Sequence, residues 1–393
     1  MSNSKKELSL PVILIYALLL NTGSSFMWPL TTIYMHDHLG MSLTISGVVL
    51  FGMSVFMIIG NYIGGYLFDQ WSPYKVALIS VSITLISVII LIFFHGGLSY
   101  SLLLLTYGLG NGCSLTLLNS YASLITSKTT RYVFNAVYIG LNVGVVVGTA
   151  SVGYLLNYGI TTVFIVAATF YAIVFFLTLF KFNINIEEAK AKKLKENQMQ
   201  STDDSQSGNH VKLLLLICLM TFAIYMSYTL WESVMSVRLT QLGISFEHYS
   251  LLWTINGLMI VFGQPLINKI GNRFKMGSQI CFGISIFALS FFLLIGARQY
   301  LSFVVIIVIL TFGEMNGLPS IPVWIDRLAN IKEKGKYQGT YNVFMSMGRA
   351  AGPLIGGLFV ELFNYPTLFI FAGGFIFFTM LMALIESKKA NLL

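Results

Sequence analysis

Twelve times along the chain, 20 or more consecutive residues are predominantly apolar, and that repetition constrains the fold more than any motif does. The runs fall at 11–35, 44–68, 76–95, 99–125, 133–157 and 160–181, then at 211–237, 248–268, 276–296, 300–325, 338–362 and 366–387. A helix needs about 20 such residues to cross the hydrocarbon core of a bilayer. Inside that core the backbone has no water to bond, so a lone spanning segment must satisfy its own amides as an α-helix. The expected fold class is therefore an all-α polytopic membrane protein with twelve transmembrane helices in two six-helix bundles. Composition closes the main alternative. Of 393 residues 56% are hydrophobic and 10% charged, whereas a soluble domain carries about 25% charged residues. A water-soluble enzyme is excluded.

The one long polar interruption, NINIEEAKAKKLKENQMQSTDDSQSGNH, is mixed in charge and poor in aromatics, so it cannot bury a core. It divides the chain into an N-terminal bundle (1–181), a cytoplasmic linker (182–210) and a C-terminal bundle (211–393). Lys5 and Lys6 before Leu10–Leu20 imitate a signal peptide, but the apolar character continues to Tyr34, which marks a first span. Cations set the orientation. With both termini in the cytoplasm, twenty of the 23 Lys and Arg lie on the inner side, leaving Arg238 and Arg298 outside and Arg349 within a span. The net charge of +8 thus reflects membrane topology, and no basic patch points to nucleic acid. Cys113, Cys218 and Cys281 each sit inside an apolar run without metal or disulfide spacing.

The halves echo each other. Leu39-Gly40-Met41-Ser42 follows span one and Leu242-Gly243-Ile244-Ser245 follows span seven, while GGYLFDQWSPYK and QPLINKIGNRFK follow spans two and eight. Such repeats are how many transporters are built. Two six-helix halves, a polar linker and a G-x-L-x-D loop (Gly65, Leu67, Asp69) resemble the major facilitator superfamily. Its loop signature continues with cations; here Lys75 supplies one a place late, and Gln70, Ser72 and Pro73 depart from it. The resemblance implies that Asp69 caps and pairs across helix ends on the cytoplasmic side, steadying one state of the cycle. The superfamily's G-x-x-x-G-P-x-x-G-G signature belongs to span five of antiporters. Span five keeps Gly140, Gly144, Gly148 and Gly153 but has Thr149 for the proline, and the intact form stands in span eleven as Gly348, Gly352, Pro353, Gly356 and Gly357. Glycines four apart let helix backbones approach closely; this suits helices that rock past each other, and it equally suits plain packing.

Span four has Thr106 four places before Gly110, where an arginine is common in the superfamily. The LmrP-type multidrug:proton antiporters lack that arginine too. The chain resembles them at Thr32-Ile33-Tyr34 with Leu39-Gly40, at Glu232 late in span seven, and at Gly313, Glu314, Pro319 and Ser320 in span ten. That resemblance implies that Glu232 and Glu314 take part in proton coupling or cation binding. A further acid of that branch falls at about Val137 here and is missing.

An ionisable side chain at membrane depth is costly and is a functional candidate by default. Glu314 stands about fourteen residues into its span of about 25, near the midplane. Glu232 lies in the outer part of span seven. Arg349 is about a dozen residues into span eleven, at a depth compatible with Glu314 on the preceding helix, so a Glu314–Arg349 pair is expected. The alternative to a coupling role is a static buried group. Asp326 and Arg327, closing span ten, read as gate or interface charges; Asp37 between His36 and His38 reads as a solvated loop. A cavity between the halves would draw on Asn21, Trp28, Asn111, Asn119, Tyr138, Asn142, Tyr228, Trp231, Trp253, Asn256 and Asn316, whose aromatic faces attract organic cations.

No nucleotide fingerprint, metal box or nucleophile triad is present, so neither an enzyme nor a cofactor or metal site is expected, and transport must run on an ion gradient. The expected function is a proton-coupled antiporter in the cell membrane that exports hydrophobic or cationic small molecules by alternating access, with protons and membrane lipids as its other partners. Two alternatives stand beside it: a symporter or importer of a polar metabolite, with Arg349 as counter-charge, and a translocase of lipid-linked substrates.

Overall fold

The computed structural model describes residues 8–128, 130–184, 211–271, 276–328 and 334–389. Its elements are helices: α1 (Leu10–Ile33, continued by a π-helical turn Tyr34–His38), α2 (Leu43–Gln70), α3 (Pro73–Phe93), α4 (Gly97–Ser123), α5 (Thr130–Leu156) and α6 (Ile160–Lys181). After the linker come α7 (Val211–Glu232), α8 (Val234–Gln241), α9 (Phe246–Gly271), α10 (Met276–Leu293), α11 (Tyr300–Gly317), α12 (Ser320–Leu328), α13 (Lys334–Leu362) and α14 (Tyr365–Lys389). Among the described residues twelve stretches are long and apolar enough to cross a membrane, with α7 and α8 forming span seven and α11 and α12 forming span ten. The fold is the all-helical, twelve-span arrangement expected from the hydrophobic runs.

Turn chemistry makes the duplication visible in the backbone. Gly40 and Gly243 both adopt positive φ, 66° and 80°, a conformation glycine enters without steric cost. Two residues later Ser42 accepts the Ile45 N–H at 3.2 Å and Ser245 accepts the His248 N–H at 3.4 Å, so each serine caps the helix that follows. At the same offset Trp28 answers to Trp231 and Pro29 to Glu232. Where α1 contains a proline, span seven breaks.

The helices form two compact units. One gathers the chain up to Leu30 and from Gly52 through α6. Here α3 packs on α4 and α6, and the Tyr107 and Tyr171 hydroxyls bond at 2.8 Å. Phe182, which the polar pattern assigns to the linker, is fully buried, its ring 4.9 Å from Tyr16 and 4.8 Å from Tyr121. The aromatic core thus holds the chain one residue beyond α6; residues 185–210 of the linker lie outside the described residues. Asn21 donates to the Leu141 carbonyl at 2.7 Å, tying α1 to α5.

The second unit gathers Thr31–Phe51 with α7 through α14. Its tightest packing sets α13 on α7. A methyl added at Gly348 would meet the Phe222 carbonyl at 2.5 Å, and one at Gly352 would strike the Met226 carbonyl and the Thr229 hydroxyl. The glycine signature of span eleven therefore serves backbone contact within one unit. Gly348→Ala and Gly352→Ala are expected to destabilise the protein by about 1–3 kcal/mol and to lower its melting temperature in detergent, while Gly374→Ala, whose added methyl meets open space, leaves it unchanged.

Candidate functional site

The candidate site lies in the second unit, where three helices bring ionisable side chains together. α7 ends at Glu232, and Ser233 (φ −114°, ψ −71°) interrupts the helix before α8. No proline or glycine causes this break. Hydroxyl groups instead answer the carbonyls around it: Ser233 Oγ donates to Thr229 O at 2.7 Å, Ser236 Oγ to Ser233 O at 2.6 Å, and Tyr249 Oη to Trp231 O at 2.7 Å. Back-bonding of this kind bends helices. Trp253 Nε1 donates to Tyr249 Oη at 3.1 Å, fixing that hydroxyl in place.

At the break Glu232 Oε1 accepts from Arg349 Nη2 at 3.0 Å; the glutamate side chain keeps 15% of its surface accessible and the arginine 47%. The expected Glu314–Arg349 pair is not what forms. Gly348 and Gly352 seat α13 on α7, which delivers the intervening Arg349 to the end of α7. Glu314, on α11, faces α9 instead, where Asn256 Nδ2 donates to Glu314 Oε2 at 3.1 Å and to Thr311 Oγ1 at 2.9 Å. Proton accounting orients that amide. The single Thr311 proton goes to the Ile307 carbonyl at 2.7 Å, so Thr311 can only accept from Asn256. Both amide hydrogens are thereby committed, and Asn256, 2% exposed, holds the carboxyl.

An aromatic cluster begins at this acid. The Tyr228 side chain reaches Glu314, and its ring lies 5.6 Å from Trp253 and 6.3 Å from Phe287, parallel to the latter within 5°. Tyr228 precedes Glu232 by one turn and shares its face of α7. A carboxyl beside the Tyr228 ring has the elements that attract an organic cation, and Arg349 is already committed to another acid.

Other expected site residues lie apart or play different parts. Asn316 and Asn142 donate to carbonyls of their own helices, Phe312 and Tyr138. Trp231 is fully buried, with its indole N–H unpartnered among the described residues. Asn21 serves the α1–α5 contact, and Trp28 is half-buried on α1 in the first unit. Gly65 is not tightly packed, its nearest neighbour to an added methyl being Thr116 at 3.6 Å. Lys75 lies over the Trp71 ring at 5.8 Å. Pro353 sits inside α13. The side chains of Asp69, Asp326 and Arg327 lie outside the described residues. Thr311, Tyr249 and Phe287 were not singled out by the sequence. Tyr249, Trp253 and Asn256 do recur at helical spacing, so one face of α9 carries a stripe that could have been read.

Because the Glu232–Arg349 pair is only partly solvated, removing either partner strands the other. Glu232→Gln and Arg349→Gln are each expected to lower thermal stability. The double variant should cost less than the sum of the two by about 1 kcal/mol, a coupling that a double-mutant cycle of melting curves reads directly; strict additivity would contradict the pair.

The Major Facilitator Superfamily sequence profile matches residues 13–231 and 217–391. The MFS-type transporter YttB of Bacillus subtilis (strain 168) is 36% identical over 361 residues, covering 91% of this chain and 89% of the relative. YqjV of the same organism, also an MFS-type transporter, is 24% identical over 87% of this chain and 84% of its own. Among solved structures, a POT family transporter in complex with a thioalcohol-conjugated peptide superposes with a TM-score of 0.81 at 14% identity, covering 97% of this chain and 96% of that one. A mutant form of the nucleoside transporter NupG gives 0.74 at 15% identity, covering 96% and 99%. At such identities these structures share the fold alone. A profile matching nearly the whole chain and a relative above one-third identity, on twelve apolar spans, place this chain in the Major Facilitator Superfamily of membrane transporters.

Proposed function

We propose that the protein is a proton-coupled antiporter that exports hydrophobic, often cationic compounds by alternating access. The observation that carries this reading is Glu314. It is an acid within an apolar span, held by Asn256 and beside the Tyr228 ring, while Arg349 is paired with Glu232 instead. A carboxyl so placed can hold either a proton or an organic cation. Their competition for one group would make the exchange obligatory: cation arrival expels the proton, and reprotonation from the other side expels the cation. Asn256 keeps the carboxyl aimed in both states. The Glu232–Arg349 pair supplies a second acid whose engagement can change with occupancy. A ligand shifts such a cycle only by its differential affinity for the two states.

In this reading the sequence halves, 1–181 and 211–393, joined by the linker 182–210, work by alternating access, with both termini on the cytoplasmic side of the cell membrane. Gly65 and Asp69, near the end of α2, and Lys75, at the start of α3, steady the inner closure. Gly352 and Pro353 let α13 move with α7 as one body.

A second reading rests on Arg349, whose side chain is 47% accessible although paired. An open guanidinium is suited to a carboxylate-bearing metabolite, which would displace Glu232 and make the protein a symporter or importer.

One assay separates the two. Proteoliposomes carrying an interior pH dye are challenged with lipophilic cations, sugars and amino acids. Lipophilic cations are expected to trigger proton movement in the wild type, and Glu314→Gln is expected to reduce it to the protein-free background. Silence with cations but a response to one polar metabolite, lost in Arg349→Gln, would overturn the antiporter reading in favour of the second.

A further inference from the structure

The connection between α1 and α2 belongs by sequence to the first half of the chain. In the structure Thr31–Phe51 nevertheless fall within the compact unit formed by α7 through α14. One polar fastening there is Glu361, in the last turn of α13. Its Oε1 accepts the Thr44 backbone N–H at 2.8 Å, and its Oε2 accepts a short bond from the Thr44 hydroxyl. The Ser42 hydroxyl and the Leu43 N–H also reach the same carboxylate.

The first amides of a helix have no partner within it. Two of those of α2, on Leu43 and Thr44, are answered here by a side chain more than 300 residues away. A carboxylate is the preferred group at that position, because the helix N-terminus carries partial positive charge and charge-assisted bonds are short. Ser42 accepts the Ile45 N–H while its own proton remains for Glu361. The two caps are therefore compatible in proton count.

Three further contacts make this a built junction. A methyl added at Gly357 would lie 2.5 Å from the Leu43 carbonyl, and one at Gly47 would lie 2.6 Å from the Pro353 carbonyl, so α2 and α13 run in backbone contact. Thr240, in α8, donates to Asp37 Oδ2 at 3.3 Å. Asp37, Thr44, Thr240 and Glu361 each lie within a turn of a helix end. Glu361 is also exposed, so water can replace its partners and the fastening can come apart.

We propose that Glu361 is a reversible clasp: it holds the α1–α2 connection to α13 while that end of the transporter is closed, and it lets go when that end opens. Its part in a cycle rests on the alternating-access reading above; the fastening itself does not.

The fastening is tested without any substrate, by amide hydrogen exchange on the full chain in lipid nanodiscs. In Glu361→Gln the amides of residues 43–46 are expected to exchange at least tenfold faster than in the wild type, with those of 213–231 in α7 unchanged. Glu361→Ala should give a larger change at the same place. If Glu361→Ala loses protection throughout, Glu361→Gln decides: wild-type protection at 43–46 in that variant overturns the clasp. The gating role is tested with Thr44→Cys and Glu361→Cys in a chain whose Cys113, Cys218 and Cys281 are replaced by serine, bridged by a short cleavable bis-maleimide. Bridging is expected to stop cation-triggered proton flux, and cleavage to restore it. Full flux in the bridged protein would overturn gating by this junction while leaving the antiporter reading intact. Absence of flux in the unbridged wild type with every cation would instead overturn the antiporter reading, and the exchange result would stand.

Discussion

A hydrocarbon interior offers no hydrogen bonds, so each polar group that enters it must find its partner within the chain. That constraint explains more of this structure than any motif. It forces the helices, and it disposes of the hydroxyls: Thr22, Thr149, Thr178 and Thr221 each donate to the carbonyl one turn back. Pairs of polar groups on different helices then become the fastenings of the bundles, as with Tyr107 and Tyr171, or Asn21 and the Leu141 carbonyl. The same rule governs the break in span seven, where Tyr249 crosses from α9 to take the carbonyl of Trp231.

Against that background the site is a division of labour between two acids. Glu232, at the helix break, neutralises Arg349. Among the described residues Glu314 receives neutral donors, and its principal one, Asn256, is itself locked by Thr311. Close packing makes the division. Gly348 and Gly352 flank Arg349 and bring α13 against the backbone of α7, so the arginine is spent on the helix it packs against. The glycine signature and the ion pair are thus two consequences of one helix contact.

Much of this was legible in the sequence, and what was not has a physical reason. The twelve spans follow from hydrophobic length. The paired Gly40 and Gly243 turns follow from residues whose backbone needs are distinctive, and the acids stand out because charge within a span is rare. The partner of Arg349 was not legible. Depth along a span fixes height but not which helix face meets which neighbour, and the structure sets Glu232 rather than Glu314 beside it. The break at Ser233 carries no proline or glycine to announce it. The Thr44–Glu361 contact joins helix ends 317 residues apart, and nothing in the local sequence of either end specifies the other. The reach of the aromatic core to Phe182 was hidden by the polar residues that follow it.

In the proposed cycle Glu314 gives up its proton when an organic cation binds. Infrared difference spectroscopy on the protein in lipid, recorded on addition of a lipophilic cation, observes that proton directly. The expected result is loss of a carboxylic C=O stretch, with a carboxylate band gained in its place, both absent from Glu314→Gln but retained in Glu232→Gln. A difference spectrum without a carboxyl band, or one unaltered by Glu314→Gln, would contradict it.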